Sequence, residues 1–225
     1  MGNVHWADGT RFDLLQIRKR CNDVGSKLII DGTQSVGALP FDLTRIKPDA
    51  LVCAGYKWLM GPYSIGLAYY NESFDNGIPI EENWINRKLS EDFAGLVQYN
   101  NDYQSGALRY EVGERSNFIL VPMMTEALKK INEWQPECIQ SYCKAITSNG
   151  IERLHEAGFW IEDEKFRGQH LFGIRPPKGT LIDTVREKLK RKKISVSVRG
   201  NSLRVSPNVY NSQADFEKLV KVLLD

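Results

Sequence analysis

Three polar residues that follow apolar segments, Asp31, Gln34 and Lys57, are the strongest candidates for chemistry in this sequence. Asp31 comes after an apolar run, so a cationic or hydrogen-bond-donating partner such as a protonated pyridine nitrogen would stabilise its ionised form. Lys57 lies between Tyr56 and Trp58, and an apolar aromatic setting favours the neutral, nucleophilic amine that forms Schiff bases. Each residue alone has an ordinary structural explanation, as a turn cap or a solvated charge. The ordered set is what predicts a site.

Short apolar runs precede these residues and predict the strands that position them. The runs 27–31 and 49–54 are typical of strands buried on both faces of a parallel sheet, and 66–70 predicts a third strand. Helical spacing over 13–21 precedes the first strand. Ligands of open α/β sheets bind beyond the carboxyl ends of the strands. We therefore expect Asp31 and Lys57 to face one pocket at that edge.

The rest of the chain divides into an irregular excursion, two helices and a small C-terminal domain. Segment 78–111 is polar, aromatic and poorly periodic, which favours a surface or an interface. Helical spacing returns over 123–131 and 139–154. The order after that is β-α-β-β-α, which predicts a small α+β domain. We place the boundary near Gly150, giving domains 1–150 and 151–225.

Composition and charge argue against several classes of protein. The 225 residues carry 30 Lys+Arg and 28 Asp+Glu, a net charge of +2, so no field favours nucleic acid as a partner. No apolar run approaches the ~20 residues of a membrane span, and the first residues lack a secretory signal. Four irregularly spaced cysteines predict reduced thiols and no metal site. We expect a cytoplasmic protein that binds neither nucleic acid nor membrane.

Two motifs resemble those of a known family. Segment 31–35, Asp-Gly-Thr-Gln-Ser, resembles its Asp-Gly-x-Gln motif, and segment 54–62 resembles its Ser/Ala-Gly-His/Tyr-Lys-x-x-x-Gly-Pro signature. This family is the class V aminotransferases, fold-type I pyridoxal-phosphate enzymes that include cysteine desulfurases and kynureninases, and the sequence is most similar to the isopenicillin-N epimerase-like branch. The resemblance implies an α/β fold: the C-terminal part of a three-layer α/β/α large domain, followed by a small α+β domain.

The resemblance also implies the cofactor, pyridoxal 5′-phosphate, and the residues that hold it. Lys57 would be catalytic, forming the Schiff base and moving the α-proton. Asp31 would hold the pyridinium proton, Gln34 would hydrogen-bond the phenolic oxygen, and Tyr56 would donate its hydroxyl to the phosphate. The full set expected at the cofactor is Asn3, Asp31, Gln34, Ala54, Tyr56 and Lys57.

Three arginines are implied in substrate binding and assembly. Arg204 would bind the carboxylate of an amino-acid-like substrate through a bidentate fork, and Arg199 is a weaker second candidate. Arg115 would reach the phosphate of the partner subunit, where relatives use a threonine. The resemblance therefore implies a homodimer for the complete protein.

Departures from the family pattern restrict the function. Family members have a further stretch N-terminal to position 1, so we expect a truncated chain that binds pyridoxal phosphate weakly or not at all. Ser64 replaces a glycine, and segment 199–202 lacks the cysteine of a desulfurase, which disfavours that reaction. Transamination, elimination and epimerisation stay open. The alternative is a catalytically inactive fragment or scaffold of the same fold, used for dimerisation or binding.

Overall fold

The computed structural model describes residues 1–225, which form two compact units. The first unit contains Met1, 14–33 and 42–128, and the second contains 2–13, 34–41 and 129–225. Two N-terminal segments therefore belong with the C-terminal part of the chain. The division into domains 1–150 and 151–225 stays a prediction.

The first unit is built on a three-stranded sheet. Its helices are α1 (Leu14–Asp23), α2 (Leu43–Ile46) and the larger part of α3 (Leu120–Trp134), and its strands are β1 (Ile29–Asp31), β2 (Ala50–Ala54) and β3 (Gly66–Tyr70). The strand order is β1-β2-β3, with β1 parallel and β3 antiparallel to β2. The three predicted strands and the first helix are confirmed.

The prediction that the first two strands are buried on both faces is wrong. Ile30 and Leu51 lie opposite each other and are buried, as is Cys53 on the same face. On the other face Ile29 is 50% and Val52 40% exposed. An apolar run allows a strand to be buried on both faces. The elements that pack on each face decide whether the strand is buried there.

The excursion predicted after β3 is irregular in the structure. Between residues 71 and 119 the chain forms only short 3-10 turns, at Glu72–Phe74, Trp84–Asn86 and Gly106–Tyr110, and one isolated bridge between Arg87 and Tyr103. The Tyr110 ring packs on Tyr70 at a centroid distance of 4.6 Å. This contact fixes the end of the excursion against β3.

The second unit is a small α+β structure, as predicted. Its elements are α4 (Pro136–Glu156), β4 (Trp160–Ile161), β5 (Phe172–Arg175), α5 (Ile182–Arg191), β6 (Ser197–Arg199), β7 (Ser202–Val205) and α6 (Gln213–Leu224). The sheet order is β4-β5-β7-β6, with every pair antiparallel.

Helix signals in the sequence set the limits of this unit's helices. Pro136 occupies the first turn of α4, where its missing N–H costs nothing. A capping box between Ser212 and Asp215 starts α6. Phe172, Leu203 and Val220 are fully buried within one core cluster. None of the helices in the protein is long and apolar enough to cross a membrane.

Candidate active site

Asp31 and Ala54 end neighbouring parallel strands, so both lie at one edge of the sheet. The turn after Asp31 is tied to β2 by two hydrogen bonds. Gly32 N–H donates to the Val52 carbonyl at 2.8 Å, and Ala54 N–H donates to Thr33 Oγ1 at 3.1 Å. Thr33 N–H also donates to Asp31 Oδ1 at 2.9 Å. Thr33 therefore connects the carboxylate to the end of β2, a role that the sequence analysis missed.

Asp31 itself is exposed, which corrects the expectation that the preceding apolar run would desolvate it. The strand ends at this residue, which lies on the same exposed face of β1 as Ile29. Thr33 N–H holds one oxygen, so the group is oriented while it is accessible to a ligand.

The loop that carries Lys57 is tightly closed by backbone contacts. Gly55 N–H donates to the Ile65 carbonyl, and Gly61 N–H donates to the Gly55 carbonyl, both at 2.8 Å. A Cβ on Gly55 would lie 2.5 Å from the Ile65 oxygen, so only glycine allows this approach. Ser64 has φ +66°. This left-handed conformation favours glycine, the residue that Ser64 replaces in the family pattern.

Tyr56 and Lys57 lie side by side in that loop. The Tyr56 ring stacks on Tyr63 at 4.2 Å with an interplanar angle of 12°. The Lys57 Nζ is 5.7 Å from the Tyr56 ring centroid, and the side chain is half-buried. The aromatic setting predicted for Lys57 is present. Asp31, Ala54, Tyr56 and Lys57 thus come from the same end of adjacent parallel strands.

Two buried cysteines have no thiolate character. Burial, together with the smaller effect of the negative charge of Asp31, raises the pKa of Cys53 to about 11. Burial also raises the pKa of Cys143 to about 11. Both thiols are therefore protonated and unreactive near neutral pH.

Arg115 lies in the irregular segment of the first unit and is half-buried. Its Nη1 is buried and has no hydrogen-bond partner. An unsatisfied buried donor costs about 1–3 kcal/mol or more when charged, so an anionic acceptor supplied by a ligand or partner would stabilise it.

In the second unit, Gln34 is anchored through its backbone. The Gln34 carbonyl lies 2.9 Å from Nε2 of His170, which is fully buried. Nδ1 of His170 lies 3.0 Å from Nε2 of Gln140. Burial lowers the pKa of His170 to about 4, although the hydrogen bond to Gln34 opposes this shift. His170 is neutral near pH 7, and the sequence offered no signal for its partners.

Arg204 and Arg199 lie on one face of the second sheet. Ser197 is opposite Arg204 and Arg199 is opposite Ser202, so the two arginines are diagonal neighbours. Arg204 Nη1 donates to the Trp6 carbonyl at 2.8 Å, and the Arg199 guanidinium lies 5.8 Å from the Trp6 ring centroid. Trp6 was not predicted in this role.

Neither guanidinium is paired with a carboxylate. Burial lowers the pKa of Arg204, and the charge of Arg199 lowers it further. Arg204 and Ser197 also border a cavity of about 360 Å³ in the second unit. Asp215 also lines this cavity and Arg199 does not, so the case for a small anion rests on the two neighbouring guanidinium groups that lack an acidic partner.

Asn3 is buried at the start of the second unit. Its carbonyl accepts a hydrogen bond from Phe12 N–H at 3.0 Å, beside the bridge between Val4 and Arg11. The role of Asn3 at the cofactor stays a prediction.

The fold is α/β and matches that of fold-type I pyridoxal-phosphate-dependent transferases. A cysteine desulfurase from Thermococcus onnurineus NA1 superposes with a TM-score of 0.81 at 21% identity, over 99% of this chain and 58% of that one. An alanine–glyoxylate aminotransferase from Nostoc sp. gives 0.70 at 17% identity, over 99% and 59%.

The sequence model "Aminotransferase class-V" matches residues 2–219, and the chain belongs to this family. The predicted family is confirmed, and its members are dependent on pyridoxal phosphate. The uncharacterized aminotransferase YcbU of Bacillus subtilis is 25% identical over 223 residues, which are 97% of this chain and 56% of that protein. The chain thus spans about half the length of such a relative.

Proposed function

We propose that this protein is a pyridoxal-phosphate-dependent enzyme acting on an amino-acid-like substrate, with Lys57 as its catalytic residue. The observation that carries the proposal is the shared sheet edge. Asp31 ends one strand there with an exposed, oriented carboxylate, and the closed loop bearing Lys57 follows the neighbouring parallel strand.

The residues of the chain fit the cofactor. Asp31 offers a carboxylate to the protonated ring nitrogen, Tyr56 has an exposed ring that carries a donor hydroxyl, and Lys57 supplies the amine. Ala54, Asn3 and the Gln34 side chain complete the proposed set. When bound, pyridoxal phosphate supplies an electron sink for the negative charge left by proton removal. Lys57 would hold and move that proton.

The proposed substrate is recognised by its carboxylate. Arg204 would bind it, with Arg199 as the second candidate, because neither guanidinium has an acidic partner in the protein. A planar guanidinium matches both oxygens of a carboxylate, whereas a lysine amine does not. Arg204→Lys is therefore expected to raise KM for the amino acid more than it lowers kcat.

A homodimer belongs to the same proposal. The irregular segment of the first unit exposes large apolar side chains, with Phe93 74%, Val97 83%, Tyr99 95% and Phe118 90% accessible. Apolar side chains concentrated in one segment favour a protein interface. Arg115, whose Nη1 lacks a hydrogen-bond acceptor, would then bind the phosphate of the cofactor in the other subunit. Sedimentation of a longer parent as a monomer with bound cofactor would refute this shared site.

The proposed reaction is that of a transferase, a lyase or an epimerase. Within the family, we propose that the chain belongs to the isopenicillin-N epimerase-like branch. Relatives include a probable cysteine desulfurase of Pyrococcus abyssi, 33% identical over 72 residues. Segment 199–202 has no cysteine, so desulfuration is disfavoured. The alternative is a catalytically inactive fragment or scaffold of the same fold, used for dimerisation or binding.

A trapping experiment tests the catalytic role. Purified chain is mixed with pyridoxal phosphate, reduced with borohydride and digested, and mass spectrometry locates the pyridoxyl group. We expect it on Lys57 at lower cofactor concentration than on the exposed Lys88. Lys57→Arg keeps the charge and should abolish that labelling. Equal labelling of Lys57 and Lys88 would refute the proposed site.

A further inference from the structure

The second unit contains a buried polar network that no proposed catalytic step uses. His170 is fully buried, and its two ring nitrogens face Gln34 and Gln140. Gln140 Nε2 also donates to the Ala38 carbonyl at 2.7 Å, and Gln140 Oε1 accepts from Gln169 N–H at 2.8 Å. Each of these contacts lies within the second unit.

The partners of His170 determine its tautomer. Nε2 lies 2.9 Å from the Gln34 carbonyl, which can only accept, so Nε2 carries the proton. Nδ1 is then the acceptor for the Gln140 amide at 3.0 Å. A neutral imidazole satisfies both partners, in agreement with the low pKa that burial gives His170.

The network holds a short segment at both ends. His170 binds the carbonyl of Gln34, and Gln140 binds the carbonyl of Ala38. Inside the segment, Ala38 N–H and Leu39 N–H donate to the Ser35 carbonyl at 3.1 and 2.8 Å. The Gln34 backbone is therefore fixed by a side chain 136 residues away.

The ring position of His170 is itself restricted. A Cβ on Gly168 would lie 2.5 Å from Nδ1 and Cε1 of His170. The Gly168 backbone thus packs directly against the ring and limits its movement. A side chain held in this way can set the position of a neighbouring backbone within a fraction of an ångström.

We propose that His170 is a positioning residue for Gln34, fixing the backbone from which the Gln34 side chain reaches pyridoxal phosphate. The cofactor contact of Gln34 rests on the proposed function. The contact between His170 and the Gln34 carbonyl does not, so the two can be tested separately.

Two substitutions separate the contacts of His170. His170→Gln places an amide near the position of Nε2 and keeps a donor for the Gln34 carbonyl. His170→Asn places an oxygen near the position of Nδ1 and keeps an acceptor for Gln140, but it does not reach Gln34. The two variants are similar in polarity and differ in the contact under test.

The first readout is hydrogen exchange of the 225-residue chain without cofactor, followed by mass spectrometry. We expect amides of segment 34–39 to exchange about 5- to 10-fold faster in His170→Asn, as for one lost hydrogen bond. Segment 202–205, in the core strand β7, is the control and should be unchanged. Equal acceleration in both segments, or none in either, would overturn the positioning role.

The second readout is a double-substitution cycle on pyridoxal phosphate affinity, followed by the Lys57-dependent absorbance change. His170→Asn should weaken binding about 3- to 10-fold, and His170→Gln should restore most of it. In a Gln34→Ala background, His170→Asn should have no further effect. If His170→Asn weakened cofactor binding equally in the wild-type and Gln34→Ala backgrounds, the proposal that His170 acts through Gln34 would be overturned.

The cycle also distinguishes failure of the two proposals. If neither the 225-residue chain nor a longer parent gives a Lys57-dependent signal at millimolar cofactor, the proposed function and the cofactor role of His170 both fail. The exchange experiment would then still decide whether His170 holds the segment. If the wild-type chain binds and His170→Asn binds equally well, only the present inference is refuted.

Discussion

Acidification should destabilise this protein through His170 before it affects the carboxylates. The ordinary pKa of histidine is 6.5, and burial lowers that of His170 to about 4. Between these values the unfolded chain binds a proton that the folded protein excludes. The free energy of unfolding therefore rises with pH through this window. The contribution of His170 to the free energy of unfolding is complete above about pH 6.5 and is lost as the pH falls toward 4.

The size of the effect follows from the shift. At ~1.36 kcal/mol per pKa unit, a shift of this size corresponds to about 3 kcal/mol in full. The loss reaches about 2 kcal/mol by pH 5 and about 3 kcal/mol by pH 4. The pKa values of Asp8, Asp42, Asp49 and Asp215 are lowered below the ordinary 3.8. Their contributions are lost at still lower pH.

Urea unfolding at a series of pH values, followed by circular dichroism, measures this loss. His170→Gln cannot be protonated, so its stability should change about 3 kcal/mol less than that of the wild type between about pH 7 and pH 4. Other ionisable groups are shared by the two proteins and cancel in the difference. Parallel pH profiles for wild type and variant would refute the assignment of His170 as a buried neutral side chain.

Three further predictions concern Asp49, Ser64 and the affinity of the chain for pyridoxal phosphate. Asp49 accepts hydrogen bonds from Leu28 N–H and Arg18, both at 2.7 Å, and these bonds outweigh the effect of burial and lower the pKa of Asp49 to about 2. Asp49→Asn should therefore lower the free energy of unfolding in urea by about 2 kcal/mol. A change near zero would contradict this. Ser64→Gly should raise the free energy of unfolding by about 1 kcal/mol, because the backbone of Ser64 has φ +66°. Ser64→Ala should give no such gain, and thermal unfolding of the two variants measures the difference. Pyridoxal phosphate should bind the 225-residue chain roughly 10²- to 10⁵-fold more weakly than a longer parent; a stoichiometric, Lys57-dependent absorbance band at micromolar cofactor would contradict this.

Most local elements and the family could be predicted from the amino-acid sequence. Short apolar runs located β2 and β3 closely and helical spacing located α1, because such local patterns reflect which side chains an element can bury. The two-residue strand β4 was missed, since two residues carry no period. The motif around Lys57 and the glycine that Ser64 replaces were recognised through the family resemblance, and the positive φ of Ser64 agrees with that pattern.

The tertiary structure alone decided which groups are covered and which groups meet. Ile29 and Val52 are as apolar as buried strand residues, yet one face of their sheet is open, because coverage depends on what packs there. Arg204 meets the Trp6 carbonyl across 198 residues of sequence, and His170 meets that of Gln34 across 136. No local pattern encodes such pairs. Their hydrogen bonds and desolvation arise only when the folded chain brings distant segments together.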